Sequence, residues 1–279
     1  MQVARTHTDS VQQLDSVQRR LAVPSRRLAL LAPPNAFFSK VFKVFRNARE
    51  DHSGYRTLLS DMQRFRGKVY LDDGAIRKSD LIDGRHVVPA DDHSWHLLLH
   101  DENGTLAGCI RYQSHDLRSL FLRLSVFSTS LAACPEWGPV LREAVHSEVT
   151  KAKSLEKSFV EVGGWALAEH LRGTSEVLRM GLAAYSLGQL LGGAVGVSTA
   201  TRRHCSSSIL RRMGGQSLEH DGVAIPPYYD PQYECHMEIL RFHSWNPNPR
   251  YMVWVEEIRQ LLQYIPVIWS AAWELAIAG

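Results

Sequence analysis

Disulfide and metal-site patterns are scarce in this sequence. Its four cysteines, Cys109, Cys134, Cys205 and Cys235, stand far apart with no CxxC pair and no Cys/His spacing suited to a metal. A disulfide scaffold and a structural zinc site are therefore not expected, and no metal enters the reading. Net charge is also small: 32 Lys and Arg against 29 Asp and Glu leave +3, too little to argue for nucleic acid, although a local basic face is compatible with an acidic partner. There is no long uninterrupted apolar run. The most apolar stretch, VWVEEIRQLLQYIPVIWSAAWELAIAG near the C-terminus, is broken by Gln263, Pro266, Ser270 and Glu274, which makes a poor membrane span. The opening MQVARTHTDS has no charged region followed by an apolar one, so cytoplasmic residence is expected. Tandem repeats and low-complexity blocks are absent. What remains is a chain of 279 residues with 44% hydrophobic and 22% charged residues, enough for one large globular core.

Periodicity divides the chain. Val11, Leu14, Val17 and Leu21 are spaced for a short amphipathic helix ending before Pro24. FFSKVFKVFR at 37–46 sets aromatics between basic residues. It is read as a helix packed on the core, with contact to a membrane surface or a partner as the alternative. KVYLDDGAI (68–76) fits either a strand or the end of a helix. SWHLLLHDENGTLAGCIRYQS reads as a hairpin turning at Asp101-Glu102-Asn103-Gly104. PVLREAVHSEVTKAKSLEK (139–157) is helical, and SFVEVGGWALA is a strand whose paired glycines signal a bulge. EHLRGTSEVLRMGLAAYSLGQLLGG follows as a helix capped by Thr174 or Ser175 and stopped at Gly192-Gly193. A strand AVGVSTAT, a short helix CSSSILRRMGG and a strand YECHMEILRF complete a mixed α/β plan around one sheet. NPNPR (246–250) reads as a linker to a C-terminal helix, packed on the core or presenting a dimer or membrane-surface face. The expected organisation is an N-terminal helical extension over 1–54, a central domain over 55–245 and a C-terminal helical extension over 246–279.

The informative unit is the bulged strand, the loop Arg172-Gly173-Thr174-Ser175 and the helix after it. Free N–H groups and the positive dipole end at a helix start suit a phosphate, and an arginine beside them adds charge-assisted hydrogen bonds. The same pattern also serves plain capping. A bulge at Gly163-Gly164 would splay the sheet and leave strand N–H and C=O groups free for a ligand.

These segments resemble the Gcn5-related N-acyltransferase fold over roughly residues 55–243. Within it the sequence is most similar to long-chain N-acyl amino acid synthases and the related acyl-homoserine-lactone synthases. The residues that carry the likeness are Arg64-Phe65-Arg66, Asp91-Asp92, GCIRYQ with Arg111, EVGGWA with Glu161, and TRRHCSSSILRRMGG followed by PPYYDPQYECHMEIL. The resemblance implies a mixed central sheet with a bulged strand, flanked by helices. It implies transfer of an acyl group, long-chain in the closest relatives, from a phosphopantetheine thioester to an amino acid's amine. Glu161, Gly163, Gly164 and Trp165 would stand at the reaction centre. Leu167, Arg172, Gly173, Thr174 and Ser175 would hold the donor, and Arg111 and Arg64 the acceptor. Ser175 stands where the fold's donor loop normally has a second small glycine, which turns the expectation toward an acyl carrier protein, with acyl coenzyme A as the other donor. Gly164 stands where the lactone synthases carry an arginine, which turns it from a lactone product toward an N-acyl amino acid. A small-acyl transferase using acetyl coenzyme A, an autoinducer synthase and a non-enzymatic binding module are the alternatives.

Each residue also has a structural reading. Glu161 is either a salt-bridged carboxylate or a group that orients or deprotonates the amine. Arg111 is either a surface ion pair or the fork that takes an acceptor carboxylate. Arg202, Arg203, Arg211 and Arg212 are either a solvated face or a landing patch for an acidic carrier protein.

Overall fold

The computed structural model describes residues 28–34, 36, 43–117 and 124–271. The amphipathic segment 11–21 and most of 37–46 lie outside the described residues. The elements, in chain order, begin with strands β1 (Leu28–Leu31) and β2 (Ala48–Glu50), helix α1 (His52–Asp72), and strands β3 (Trp95–His100) and β4 (Leu106–His115). Helix α2 (Trp137–Ser154), strand β5 (Ser158–Leu167), helix α3 (Ser175–Leu190), strand β6 (Ala194–Thr201) and helix α4 (Ser206–Met213) come next. Short strands β7 (Gln216–Ser217), β8 (Glu219–His220), β9 (Val223–Ala224) and β10 (Tyr228–Asp230) lead to β11 (Cys235–His243), helix α5 (Met252–Leu262) and strand β12 (Val267–Trp269).

The main sheet runs β10-β11-β6-β5-β4-β3-β1-β12-β2, with β7 paired to β11. The expected mixed α/β plan is thus observed, but the sheet crosses both expected boundaries. The sequence pattern predicts helical terminal segments, whereas β1 pairs with β3, and β12 lies between β1 and β2. Their shortness explains the miss: LALL and VIW are apolar runs of four and three residues, too short to show a period. NPNPR is not a free linker either. Asn248 caps a single turn ending at the buried Tyr251, and α5 follows directly.

Alternation along the strands feeds two apolar layers. Leu97, Leu99, Ile110, Tyr112, Val160 and Val162 face α3 and α5. On the other face, Leu98, Cys109 and Ala166 join Tyr55 and Met62 of α1, while Phe159, Val195 and Val197 join Leu141, Val145 and Val149 of α2. Because both faces are covered, β3 reads as the continuous run WHLLLH rather than an alternating one. Phe45, from the aromatic-basic segment, packs its ring 5.3 Å from that of Trp95. Among the described residues no helix is long and apolar enough to cross a membrane.

Helix α1 starts at Asp51, whose carboxylate accepts from Gly54 N at 2.8 Å, and ends at Gly74 in the left-handed region, φ +65°. KVYLDDGAI is thus its last turns. A buried ion pair ties this helix to the segment entering β3. Arg66 Nη1 and Nη2 donate to Asp91 Oδ1 and Oδ2 at 2.9 and 2.7 Å, and both side chains are 1% exposed. Gln63 Nε2 adds a third donor to Asp91 at 3.1 Å, and Arg66 also donates to His86 O. Removing one partner leaves a buried charge unmatched, so Asp91→Asn is expected to cost about 3–5 kcal/mol in urea unfolding. The double variant Arg66→Met/Asp91→Leu is expected to lose less than the sum of the two single variants. An additive cycle would show that the pair does not couple α1 to the sheet.

Candidate active site

Strands β5 and β6 pair in parallel over only four positions, from Ser158↔Ala194 to Glu161↔Val197. Beyond that β6 stays with β11 as far as Thr201↔Met237, and β5 stays with β4 as far as Gly108↔Leu167. The two strands therefore part inside the sheet. The cause lies on β5, where Arg111 pairs with Gly163 and Cys109 with Ala166, so two residue steps on β4 match three on β5. This is a bulge. Gly164 occupies it with φ +61°, a conformation L side chains rarely adopt, and a Cβ there would meet Arg111 Cβ at 3.2 Å and Arg66 Nη1 at 3.3 Å. Where the strands part lies a cavity of about 830 Å³, lined by 162–167 of β5 and 197–201 of β6.

One end of the cavity is cationic. Arg111 lines it with its side chain 12% exposed, and its Nη1 lies 3.9 Å from Asp91 Oδ1. Asp91 is already held by both Nη atoms of Arg66, and the Nε atoms of Arg66 and Arg111 are buried without a hydrogen-bond partner. Two guanidiniums thus share one carboxylate. Burial by itself would raise the Asp91 pKa, but the hydrogen bonds and charge of Arg66 bring it below the ordinary carboxylate value. His86, which lines the cavity, and His96 beneath it add no charge at neutral pH. Burial pushes each imidazole down to about 4, helped by Arg66 at His86 and partly offset by Asp91 at His96. Tyr70, also on the wall, donates to Trp165 O at 3.4 Å, and burial raises its pKa.

Glu161 also lines the cavity, but its carboxylate is committed elsewhere. It accepts from Ser125 N, Ser125 Oγ and Val126 N at 2.9, 2.7 and 2.9 Å, and His115 Nε2 lies 3.0 Å from Oε2. Burial raises its pKa, and the stronger combined effect of His115 and Ser125 leaves it lowered. These hydrogen bonds anchor the 124–129 segment against the sheet.

At the other end stand Arg172 and Gly173 in the turn before α3. Thr174 is the cap: Oγ1 accepts from Glu176 N at 3.2 Å and donates to Leu171 O at 2.7 Å, and Ser175 opens the helix. The Arg172 fork is not free. Its Nη1 and Nη2 donate to Asp73 Oδ1 and Oδ2 at 2.8 and 3.0 Å.

Of the expected site residues, Gly163, Gly164, Trp165, Leu167, Glu161, Arg111, Arg172 and Gly173 share this one cavity. Arg64 does not join them. It is exposed on α1, donating to Ser60 Oγ and pairing with Asp61 at 3.6 Å, because two residues along a helix is just over half a turn from Arg66. The sequence carried a signal for Arg66 that was missed: Tyr55, Met62, Arg66 and Val69 form one buried helical stripe with a single charge in it.

The arginine patch keeps most of its positive charge, with one carboxylate, Glu238, against four guanidiniums. Arg202 and Arg211 both pair with Glu238, at 3.3 and 2.7 Å. Arg203 donates to the carbonyls of Asp73, Gly74, Tyr233 and Glu234. Arg212 is the one of the four outside these contacts, and Arg202 and Arg211 stay about half exposed while sharing Glu238.

No protein-family model and no curated protein matches the chain. Solved structures do. FeeM, an N-acyl amino acid synthase from uncultured soil microbes, is 13% identical, with 66% of this chain and 83% of that chain covered and a TM-score of 0.43. BjaI, a coenzyme A-dependent acyl-homoserine lactone synthase solved with SAM and isopentyl-CoA, is 12% identical, with 87% and 92% covered and a TM-score of 0.49. The acyl-homoserine lactone synthase LasI is 16% identical, with 68% and 84% covered and a TM-score of 0.43. All three TM-scores are below 0.5, and what the site does follows from this chain's own residues.

The depressed pKa values set the acid response. Unfolding releases His86 and His96 to an ordinary value near 6.5, so the unfolded chain takes up protons first as pH falls. Stability is therefore expected to decline from about pH 6.5 towards 4. A second decline is expected below about pH 4, where Asp91 and Glu161 protonate. Urea midpoints between pH 7.5 and 3 check this. A midpoint flat down to pH 4.5 would mean that neither histidine is held neutral.

Proposed function

We propose that this protein is an N-acyltransferase that moves an acyl group from a phosphopantetheine thioester to the amine of an amino acid. The observation that carries the reading is the parting of β5 and β6 at a glycine bulge, with Arg172 at one end of the opening and Arg111 at the other. An extended pantetheine arm can take the place of the missing neighbour strand, using strand N–H and C=O groups that no longer have a partner across the cleft. The Arg172-Gly173 turn and the start of α3 supply charge and N–H groups for its phosphate.

The acceptor follows from charge. Near the bulge, Arg66 and Arg111 outnumber Asp91, and a buried unmatched guanidinium favours an anionic ligand. Arg111 Nη2 lies 3.6 Å from where a Cβ on Gly163 would stand, so a carboxylate bound there is close to the reacting carbonyl. An amine one carbon from a carboxylate fits that geometry, whereas a polyamine would be repelled. The neutral amine attacks the thioester carbonyl, the C–N bond forms, the C–S bond breaks, and the amine proton ends on the departing thiolate. An N–H between Gly163 and Trp165 stabilises the oxyanion. Glu161, held by Ser125 and Val126, contributes to this reaction by fixing the strand. A cavity of about 830 Å³ leaves room for more than acetyl, which supports a longer acyl chain. Coenzyme A and a carrier protein present the same phosphopantetheine, and paired assays with acyl coenzyme A and acyl carrier protein separate them.

The test supplies both donors with the twenty amino acids and identifies N-acyl products by mass spectrometry. Absence of product and of thioester cleavage with every combination would leave a binding module on this fold. Arg111→Gln is expected to raise the acceptor KM at least tenfold while donor affinity stays within about twofold. Equal losses in both would make Arg111 a support of the bulge rather than an acceptor site.

A further inference from the structure

The cleft mouth holds an anion already, and it belongs to the protein. Asp73 lines the same cavity as Arg172, Gly173 and His204. Both of its carboxylate oxygens take the paired Nη donors of Arg172, and its side chain is 17% exposed. His204 Nε2 stands 3.9 Å from Oδ2, and the carbonyl of Asp73 accepts from Arg203 at 3.2 Å. Helix α1 gives no local reason for a carboxylate here. Asp73 follows the last residue of a 21-residue helix, at the negative end of its dipole, next to Asp72 and with no basic residue in the last turn. Its cationic partners come from the β5–α3 and β6–α4 loops, on the two sides of the parted strands.

We propose that Asp73 is a built-in competitor for the donor's phosphate, holding Arg172 across the cleft mouth until a phosphopantetheine displaces it. This rests on the donor reading above. A guanidinium presents one planar pair of donors along this edge, and the pair serves a carboxylate or a phosphate but not both. Phosphate binding therefore includes the exchange of Arg172 from Asp73, and the exchange releases α1 from the β5–α3 loop. Donors with phosphate have this exchange to make, and donors without it have none, so Asp73 sets how strongly the site depends on the phosphate.

The experiment is calorimetric titration of the full chain with coenzyme A and, separately, with pantetheine, which has no phosphate. Asp73→Asn keeps the shape and removes the charge. It is expected to bind coenzyme A about fivefold to twentyfold more tightly than wild type and pantetheine with unchanged affinity. Asp73→Ser, which does not rely on the amide, is expected to shift in the same direction. Adding Arg172→Ala to Asp73→Asn is expected to abolish the gain. Unchanged or weaker coenzyme A binding in both Asp73 variants would overturn the proposal and make Asp73 a residue that positions Arg172. An equal gain for coenzyme A and pantetheine would also overturn it, because the mouth would then have loosened without competition for an anion. Product formation by wild type does not enter these titrations. Failure of the acyl-transfer reading shows in the product assay, and failure of the competition shows in the binding constants.

Discussion

Four residues of parallel pairing followed by separation are the constraint on which the rest of this molecule turns. A sheet buried on both faces has every reason to keep its hydrogen bonds, because an unpaired strand edge inside a protein is costly. Here β5 and β6 give them up beyond Glu161 and Val197. The extra residue at Gly164 bends β5 towards β4, while β11 keeps β6 on its own side. The sheet remains continuous at one end and open at the other. A cavity forms between the two strands, lined by residues of both.

Charge is arranged around that opening with little surplus. The inner end has two arginines against Asp91, with His86 and His96 held neutral beside them. The outer end balances Arg172 against Asp73. Glu161, the carboxylate nearest the parting point, has its oxygens filled by Ser125, Val126 and His115. At the inner end two guanidiniums have only Asp91 in direct contact, and at the mouth the Arg172 fork is held by Asp73. Such an arrangement suits an anionic acceptor bound deep and a phosphate bound at the rim.

Elements with a strong local period were legible in the sequence. The β3–β4 hairpin, the bulged strand, α2, α3 with its Thr174 cap, β6, α4 and β11 all follow from spacing, turn chemistry and caps. The short terminal strands were not: β1, β2 and β12 hold three or four residues each, and only their neighbours in the sheet make them strands. At the site, the glycine pair, Arg111 and the Arg172-Gly173 turn could be picked out by residue type and position. Arg64 could not be told from Arg66 by charge, although the helical stripe separates them.

The sequence by itself determined where the backbone bends, because a left-handed residue in mid-strand selects glycine whatever surrounds it, and where the helices begin, because their caps are local. Tertiary structure alone decided which charges are free. Arg172 reads identically whether it faces solvent, a phosphate or Asp73, 99 residues away. The arginines of 202–212 read as a patch until Glu238 and four backbone carbonyls come within reach of three of them. Charge pairing depends on distances of a few ångströms between segments remote in the chain, and folding sets those distances, not residue order.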